Sequence, residues 1–456
     1  MTLLDMSIFN AVLPSVQHSL RISPAEVSWS VVGYALMFGL TLMPAGRLGD
    51  EYGRRKLFLI GLSLSAVTAI VCGAAPDATV LVRGRLCHGV ATGLLAPQVI
   101  GLMQEMYAGP KRGRAFGYFG ATAGLSAAAG PLLGGIILQM FGAAEGWRFV
   151  FFLPVPILAL TLVFAIKVMP VDHRAGVHRL DLVGAVLLGL GLLGIMFLPI
   201  QESEAGAHPR IWLFVIGAAW VGLFGLWEGR LGARGGRPLL DLKPLTIRSY
   251  SVGATIVAAF YAGFAGVFLV MTMFLQQGLN YSPLEAAEST LIFTVGSAGA
   301  AIITGRLVHH MGRALVVIGS AAATLGLILL AQVARHWTGS NTALVLAAPL
   351  LVAGCGCGFV ISANQTLTLL EITRARAGIA AAIYETCQRI GMALGAALSS
   401  AAFFDELAAT GDYHAAVGFG LTSSAVFIGT AFLISTADTL WPAHRKLASG
   451  DTHAAN

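Results

Sequence analysis

The chain has 456 residues, 56% of them hydrophobic and only 11% charged, with a mean hydropathy of +0.79. That excess of apolar side chains excludes a water-soluble fold of this length and points to an all-α polytopic membrane protein. Apolar runs of about 18 to 25 residues can cross a hydrocarbon core of about 30 Å as helices, whereas barrel strands would need short alternating segments that the sequence lacks. The net charge of +6 does not indicate a nucleic-acid partner, because the basic residues fall in short loops between apolar runs. The partner implied is the lipid bilayer.

Fourteen spans are predicted, at roughly 1–17, 26–47, 57–75, 80–105, 115–140, 148–168, 182–200, 210–228, 250–274, 285–305, 314–334, 342–364, 378–404 and 416–437. With both termini cytoplasmic, the inner loops, helix edges and tail hold 21 of the 28 Lys and Arg residues, the outer side five, and the spans only Arg85 and Arg389. This is the positive-inside asymmetry of a cell-membrane protein. The first span has no basic region before it and no cleavage site, so it reads as a helix and not a signal peptide. It is short at its start, which leaves open a late start at Met1.

In chain order, the first span carries Asp5 in LDMSIFNAVLP, with Asn10 and Pro14 able to bend the helix. An ionisable residue at that depth is a functional candidate by default; the alternative is a structural Asp bonded to a neighbouring helix. The stretch Gly46 to Arg55, GRLGDEYGRR, reads as a Gly-bracketed turn with Asp50, Arg54 and Arg55 between two apolar runs. The fourth span carries VRGRLCHG, in which Arg85 demands an acidic or carbonyl partner because it cannot discharge. His88 can titrate near neutral pH or simply pack. Glu105 closes that span at a depth that Arg54 or Arg114 could reach. In the fifth span Gly117, Ser126, Gly130, Pro131, Gly134 and Gly135 allow close helix approach with a bend at the proline.

The opening turn has an echo, GRLVHHMGR, at Gly305 to Arg313. The first copy follows span two and the second follows span ten, an offset of eight spans. Two six-span halves therefore have two spans inserted between them, giving segments 1–168, 169–249 and 250–437 and a cytoplasmic tail at 438–456. The thirteenth span contains YETCQRIG, where Glu385 and Arg389 at i, i+4 can form an intrahelical bridge or face a substrate. Tyr384 beside them, with Tyr34, Phe38, Met271, Phe274 and Phe293, could line an apolar cavity or merely pack. The five cysteines show no metal-ligand spacing, and neither a metal nor a cofactor is expected.

These segments together resemble the fourteen-helix drug:proton antiporter family of the major facilitator superfamily. GRLGDEYGRRKLFL resembles the family's loop motif, LDMSIFNAVLP its first-helix signature, RLCHG its fourth-helix pattern RxxQG, and the fifth-helix glycines its antiporter motif. GWRFVFFLPVP, DLVG at 181–184 and PLLDL at 238–242 also look familial. The departures are His88 for the usual Gln, Ser126 for Gly, Pro154 for Asn, Glu385 and Arg389 where Asn and Gln are common, and Gln388 where Arg is common.

The resemblance implies two bundles rocking about a central site, with no enzymatic activity and the chain functional as a monomer. It implies a cytoplasmic latch of Gly46, Asp50, Gly53, Arg54, Arg55 and Glu105, in which Asp50 meets the N-terminal end of span eleven. Asp5, with Arg85 and His88, is expected to carry the coupling proton, since burial favours the neutral acid and a nearby cation the carboxylate. Tyr384, Glu385 and Arg389 are expected at the cavity. With Asp5 and Glu385 the clear mid-membrane acids, a small lipophilic monocation fits better than a dication. The alternatives are export of an endogenous metabolite or self-made antibiotic and, in a different class, a non-transporting membrane sensor.

Overall fold

Backbone N–H and C=O groups find no water inside a bilayer, so apolar runs of this length close their hydrogen bonds internally as helices. The computed structural model describes residues 2–107, 110–142, 144–169, 181–196, 211–234, 243–337, 339, 341–373 and 376–440. The helices are α1 (Thr2–Leu20), α2 (Pro24–Tyr52), α3 (Arg54–Gly73), α4 (Ala78–Met106), α5 (Pro110–Phe141), α6 (Gly146–Phe152), α7 (Pro154–Val168), α8 (Leu182–Met196) and α9 (Ile211–Ala233). They continue as α10 (Lys243–Thr246), α11 (Arg248–Met273, extended by a π turn over Phe274–Gly278), α12 (Pro283–Met311), α13 (Ala314–His336), α14 (Thr342–Thr368), α15 (Ala377–Thr410) and α16 (Tyr413–Leu440). Ten of the fourteen predicted spans coincide with helices long and apolar enough to cross a bilayer. The other four fall on α1, α5, α8 and α9. The sixth span is broken at Leu153, after which Pro154, lacking an N–H, opens α7.

The GRLGDEYGRR stretch is not the long turn its glycines suggested. It is helical through Tyr52 and again from Arg54, and the reversal is confined to Gly53, whose φ of 104° is open to glycine without strain. The echo behaves alike: α12 runs through Met311, and Gly312 at φ 52° makes the break. At their other ends, α2 and α12 both start with a capping box, Ser23 with Glu26 and Ser282 with Glu285. The two helices are each 29 residues long. The tail boundary also shifts, since α16 continues to Leu440 and Asp438 is a buried helix residue.

Packing divides the helices into two groups joined by few pairs. α1–α7 pack among themselves, and so do α11–α16; between the groups the main contacts are α2 along α15 and α5 along α12, with α14 also touching α5 and α4 touching α15. α8 and α9 pair with each other and lean on α2 and α15 through α8. The largest buried cluster lies in the second group, around Phe260, Val270, Phe274, Leu327, Leu350 and Leu421. On the outer faces Leu160, Phe164, Val295, Leu325, Leu344 and Leu433 stand exposed, as expected where lipid replaces water.

Candidate functional site

Among the described residues the most deeply buried cation is Arg85 on α4, 1% exposed. Its NH1 donates to Asp5 Oδ2 on α1 at 2.7 Å, and its Nε donates to the Ser30 carbonyl of α2 at 3.1 Å. The rings of Phe9 and Tyr34 lie 4.2 and 4.3 Å from the guanidinium carbon. A buried ion pair recovers its desolvation only when the remaining valences are satisfied, and here a carbonyl and two ring faces supply them. His88, one helical turn along, places Nε2 3.6 Å from Asp5 Oδ1 and Nδ1 2.8 Å from Thr68 Oγ1. Thr68 Oγ1 also lies 2.8 Å from its own Leu64 carbonyl. If Thr68 donates to His88, the ring proton sits on Nε2 facing Asp5; if Thr68 donates to Leu64, Nδ1 carries the proton and a second is needed to face Asp5. One hydroxyl rotation thus changes what Asp5 meets.

The C-terminal end of α2 forms a second polar cluster. Asp50 accepts from the backbone N–H groups of Gly378 (3.2 Å) and Ile379 (3.1 Å) and from Arg54 at 2.7 Å. Arg54 also donates to the Gly101 carbonyl at 2.9 Å and to Glu105 at 3.3 Å. Glu105 is half exposed, so its part is weaker. Arg55 donates to the Ile166 carbonyl. The carboxylate of Asp50 therefore sits on the first turn of α15, where free N–H groups and the helix dipole favour an anion. This corrects the expectation that Asp50 meets span eleven: that helix, α13, packs on α14 and α16 in the second group. Gly46 makes the approach possible, because a Cβ there would stand 2.6 Å from the Gly378 carbonyl oxygen.

The α5 glycines separate into two contacts. Gly117 lies against Ala301 and Gly305 of α12, and a Cβ on it would be 2.9 Å from the Ala301 carbonyl oxygen. Gly130 and Gly134 lie against α1, where a Cβ would come within 2.5 Å of Ser7 and 3.2 Å of Ala11 respectively. Gly135 is looser, 3.8 Å from Leu284. Ser126 is part-buried, and Pro131 lies inside the helix without ending it. One helix thus links the Asp5 helix to the second group through close backbone contacts.

A cavity of about 280 Å³ is lined by side chains of α2, α3, α4, α5, α7, α11, α14 and α15; its polar lining comes from Thr161, Tyr261, Gln365, Tyr384, Glu385, Gln388 and Arg389. Tyr384 and Arg389 thus reach it with Glu385, and Phe38 forms part of its wall, whereas Tyr34, Met271, Phe274 and Phe293 are buried in the packing. The intrahelical Glu385–Arg389 bridge is absent. Arg389 instead lies 4.3 Å over the Phe38 ring, and its NH1 approaches the sulfurs of Met6 (3.6 Å) and Met392 (3.9 Å). A ring face and two thioethers compete with the carboxylate for the guanidinium, so i, i+4 spacing alone did not set the pair.

Two residues escaped the sequence reading. Gln365 reaches the cavity from α14. Asp438 on α16 lies 3.4 Å from Arg313 and 3.2 Å from Arg248, and it was hidden by its position at the end of the last apolar run. DLVG is partly seen: Asp181 accepts from the N–H groups of Val183 and Gly184 and from the Trp227 indole. PLLDL lies outside the described residues.

Apolar spans in a helical bundle, with buried ion pairs and a largely apolar cavity carrying a few polar side chains, define a multi-span membrane protein with room for a small molecule. The chain belongs to the major facilitator superfamily, whose model matches residues 1–396. It is 31% identical over 408 residues to the "Probable actinorhodin transporter" of Streptomyces coelicolor, covering 89% of this chain and 70% of that one. It is 32% identical over 405 residues to the puromycin resistance protein pur8 of Streptomyces alboniger, covering 87% and 78%. The multidrug resistance protein Stp of Mycobacterium tuberculosis is 29% identical, covering 91% and 75%. Among solved structures, the human organic anion transporter MFSD10 superposes with a TM-score of 0.65 at 16% identity, covering 95% and 96%. The proton:xylose symporter XylE gives 0.65 at 15%, covering 95% and 93%; both speak for the fold alone. Family and relatives place the chain among transporters and not enzymes.

Proposed function

We propose that the chain exports small amphipathic compounds, drugs or antibiotics, in exchange for protons. In this reading bundles 1–168 and 250–437 alternate access to the central cavity, with two further spans in 169–249, fourteen spans in all and both termini cytoplasmic. The observation that carries it is the Asp5–Arg85–His88 cluster, a carboxylate with a fixed cation and a titratable ring at membrane depth. Ionisable groups there mark proton or substrate paths. Asp5 sits on α1, which the α5 glycines tie to the second group. Movement of α1 against α4 lengthens the Asp5–Arg85 contact, removes the cation that keeps the carboxylate charged, and lets Asp5 take up a proton. The Asp50 cap on α15 holds the cytoplasmic side shut until the bundles rock.

An inward proton at 100 mV supplies about 2.3 kcal/mol, and a tenfold gradient requires about 1.4. One proton therefore sustains a gradient of the order of fortyfold for a substrate without net charge. In everted membrane vesicles, Asp5→Asn is expected to lose proton-driven accumulation while keeping substrate exchange at equal pH. Full proton-driven accumulation in that variant removes Asp5 from the mechanism.

A second reading, export of a metabolite made by the same cell, is favoured by relatives named for actinorhodin transport and for tetracenomycin C resistance and export. Comparing dyes with extracts of the producing cell in the same vesicles separates the two.

A further inference from the structure

Glu385 and Arg389 are both buried, at 7% and 5% exposed, both line the central cavity, and they are not paired with each other. Glu385 makes no hydrogen bond or ion pair with another described residue. Arg389 has a ring face and two thioether sulfurs for company, and its Nε meets no acceptor. A guanidinium stays charged at any accessible pH and is fully satisfied only by oxygen acceptors, best by a planar oxyanion. An unpaired buried charge is costly, so this cation is set to receive an acceptor from outside the chain. The contrast with Arg85, also buried but given a carboxylate, a carbonyl and two ring faces as partners, shows that the fold can supply such a group from within.

We infer, on the export reading above, that the cavity takes an aromatic hydroxy acid, with an oxyanion that docks on Arg389 and a hydroxyl donor that meets Glu385. The two side chains are one turn apart on α15, about 5–6 Å between Cβ atoms, so acid and donor lie along one edge of the ligand. Phe38 and Phe119 supply apolar walls, and Gln365 and Gln388 can donate or accept. A volume near 280 Å³ stands at the small end of ligand pockets, about 300–1,000 Å³, which suits a few fused rings. The lipophilic monocation expected from the acid count alone is disfavoured, because Arg389 stands beside Glu385. Such a ligand, with its acid ionised and its hydroxyl protonated, carries one negative charge, so its outward passage and the inward passage of a proton are both driven by the membrane potential.

The test uses purified full-length protein and four probes on one scaffold: a hydroxynaphthoate, a naphthoate without the hydroxyl, a neutral hydroxynaphthamide and a naphthylmethyl-trimethylammonium cation. Isothermal titration is expected to rank the hydroxynaphthoate about tenfold or more tighter than the amide and the cation. Glu385→Gln should reduce its advantage over the naphthoate, and Arg389→Gln should abolish its advantage over the amide. Arg389→Lys, which keeps the charge and guards against a folding defect, should restore part of that advantage. Tightest binding by the cation, no preference for the acid, or a preference that survives Arg389→Gln would each overturn the proposal. Binding selectivity without proton-driven flux would instead count against the export reading and leave the ligand class standing.

Discussion

The two groups of helices use the same parts to different ends. α2 and α12 share length, capping box, a Gly-Arg-Leu near the end and a positive-φ glycine followed by an arginine, Arg54 as the first residue and Arg313 as the N-cap of the next helix. Yet Arg54 serves a contact between the groups, through Asp50 on α15. Arg313 serves contacts within its own group, to Asp438, the Ser249 carbonyl and Asn364. The buried arginines differ in the same sense: Arg85 is saturated by its own group, whereas Arg389 keeps donors unspent at the cavity. The first group thus supplies the Asp50 contact to α15 and the arginine given oxygen and ring partners, and the second the arginine left open at the cavity.

The sharpest way to break this contrast is to remove one partner on each side. Asp5→Ala leaves Arg85 buried with a charge it cannot discharge, and it is expected to cost about 3–5 kcal/mol, read as a large fall in melting temperature. Arg389→Met removes a cation without an oxygen partner and is expected to leave that temperature unchanged or raised. Equal losses from both would erase the distinction between a cation partnered by the chain and one left open at the cavity.

The latch comes next. Asp50→Asn removes the charge on the first turn of α15 but keeps an acceptor, a loss of the order of 1–2 kcal/mol from the closed state. Turnover should drop about tenfold while probe binding is unaltered, and selective loss of binding would contradict the latch assignment. Asp438→Asn, inside the second group, should lower stability more than it changes turnover.

The smallest effects lie at the twin capping boxes, where Ser23→Ala and Ser282→Ala should lower thermal stability by similar amounts. Hydrogen bonds from Ser23 hold the Glu26 carboxyl below its ordinary value of 4.5. Its contribution is therefore complete above that value and is lost as pH falls. The difference between Ser23→Ala and the parent should narrow on acidification.

Much of this was legible in the sequence. Apolar length fixes the helices, and Asp5, Arg85 and the α5 glycines stand out because each is costly or purposeless in lipid without a partner. The repeat was only half read: SPAE at Ser23 and SPLE at Ser282 match as well as the two Gly-Arg-Leu stretches, and together they mark α2 and α12 as counterparts at both ends. What could not be read was partner choice. Asp50 was assigned to the wrong helix because sequence order does not say which helix of the second group packs on α2. Glu385 and Arg389 were open to pairing because spacing brings side chains within reach but cannot weigh Phe38, Met6 and Met392 against a carboxylate. Asp438 was set in the tail since hydropathy marks where apolar residues stop, not where a helix does.

The central claim is that substrate and proton exchange through one protein with Asp5 as the carrier. Substrate-induced proton release in weakly buffered proteoliposomes, recorded with a pH dye across a compound panel, addresses it most directly. Proton release is expected on adding a transported compound to the parent protein, and none with Asp5→Asn at equal substrate binding. Equal release from both proteins, or binding without release in the parent, would contradict it.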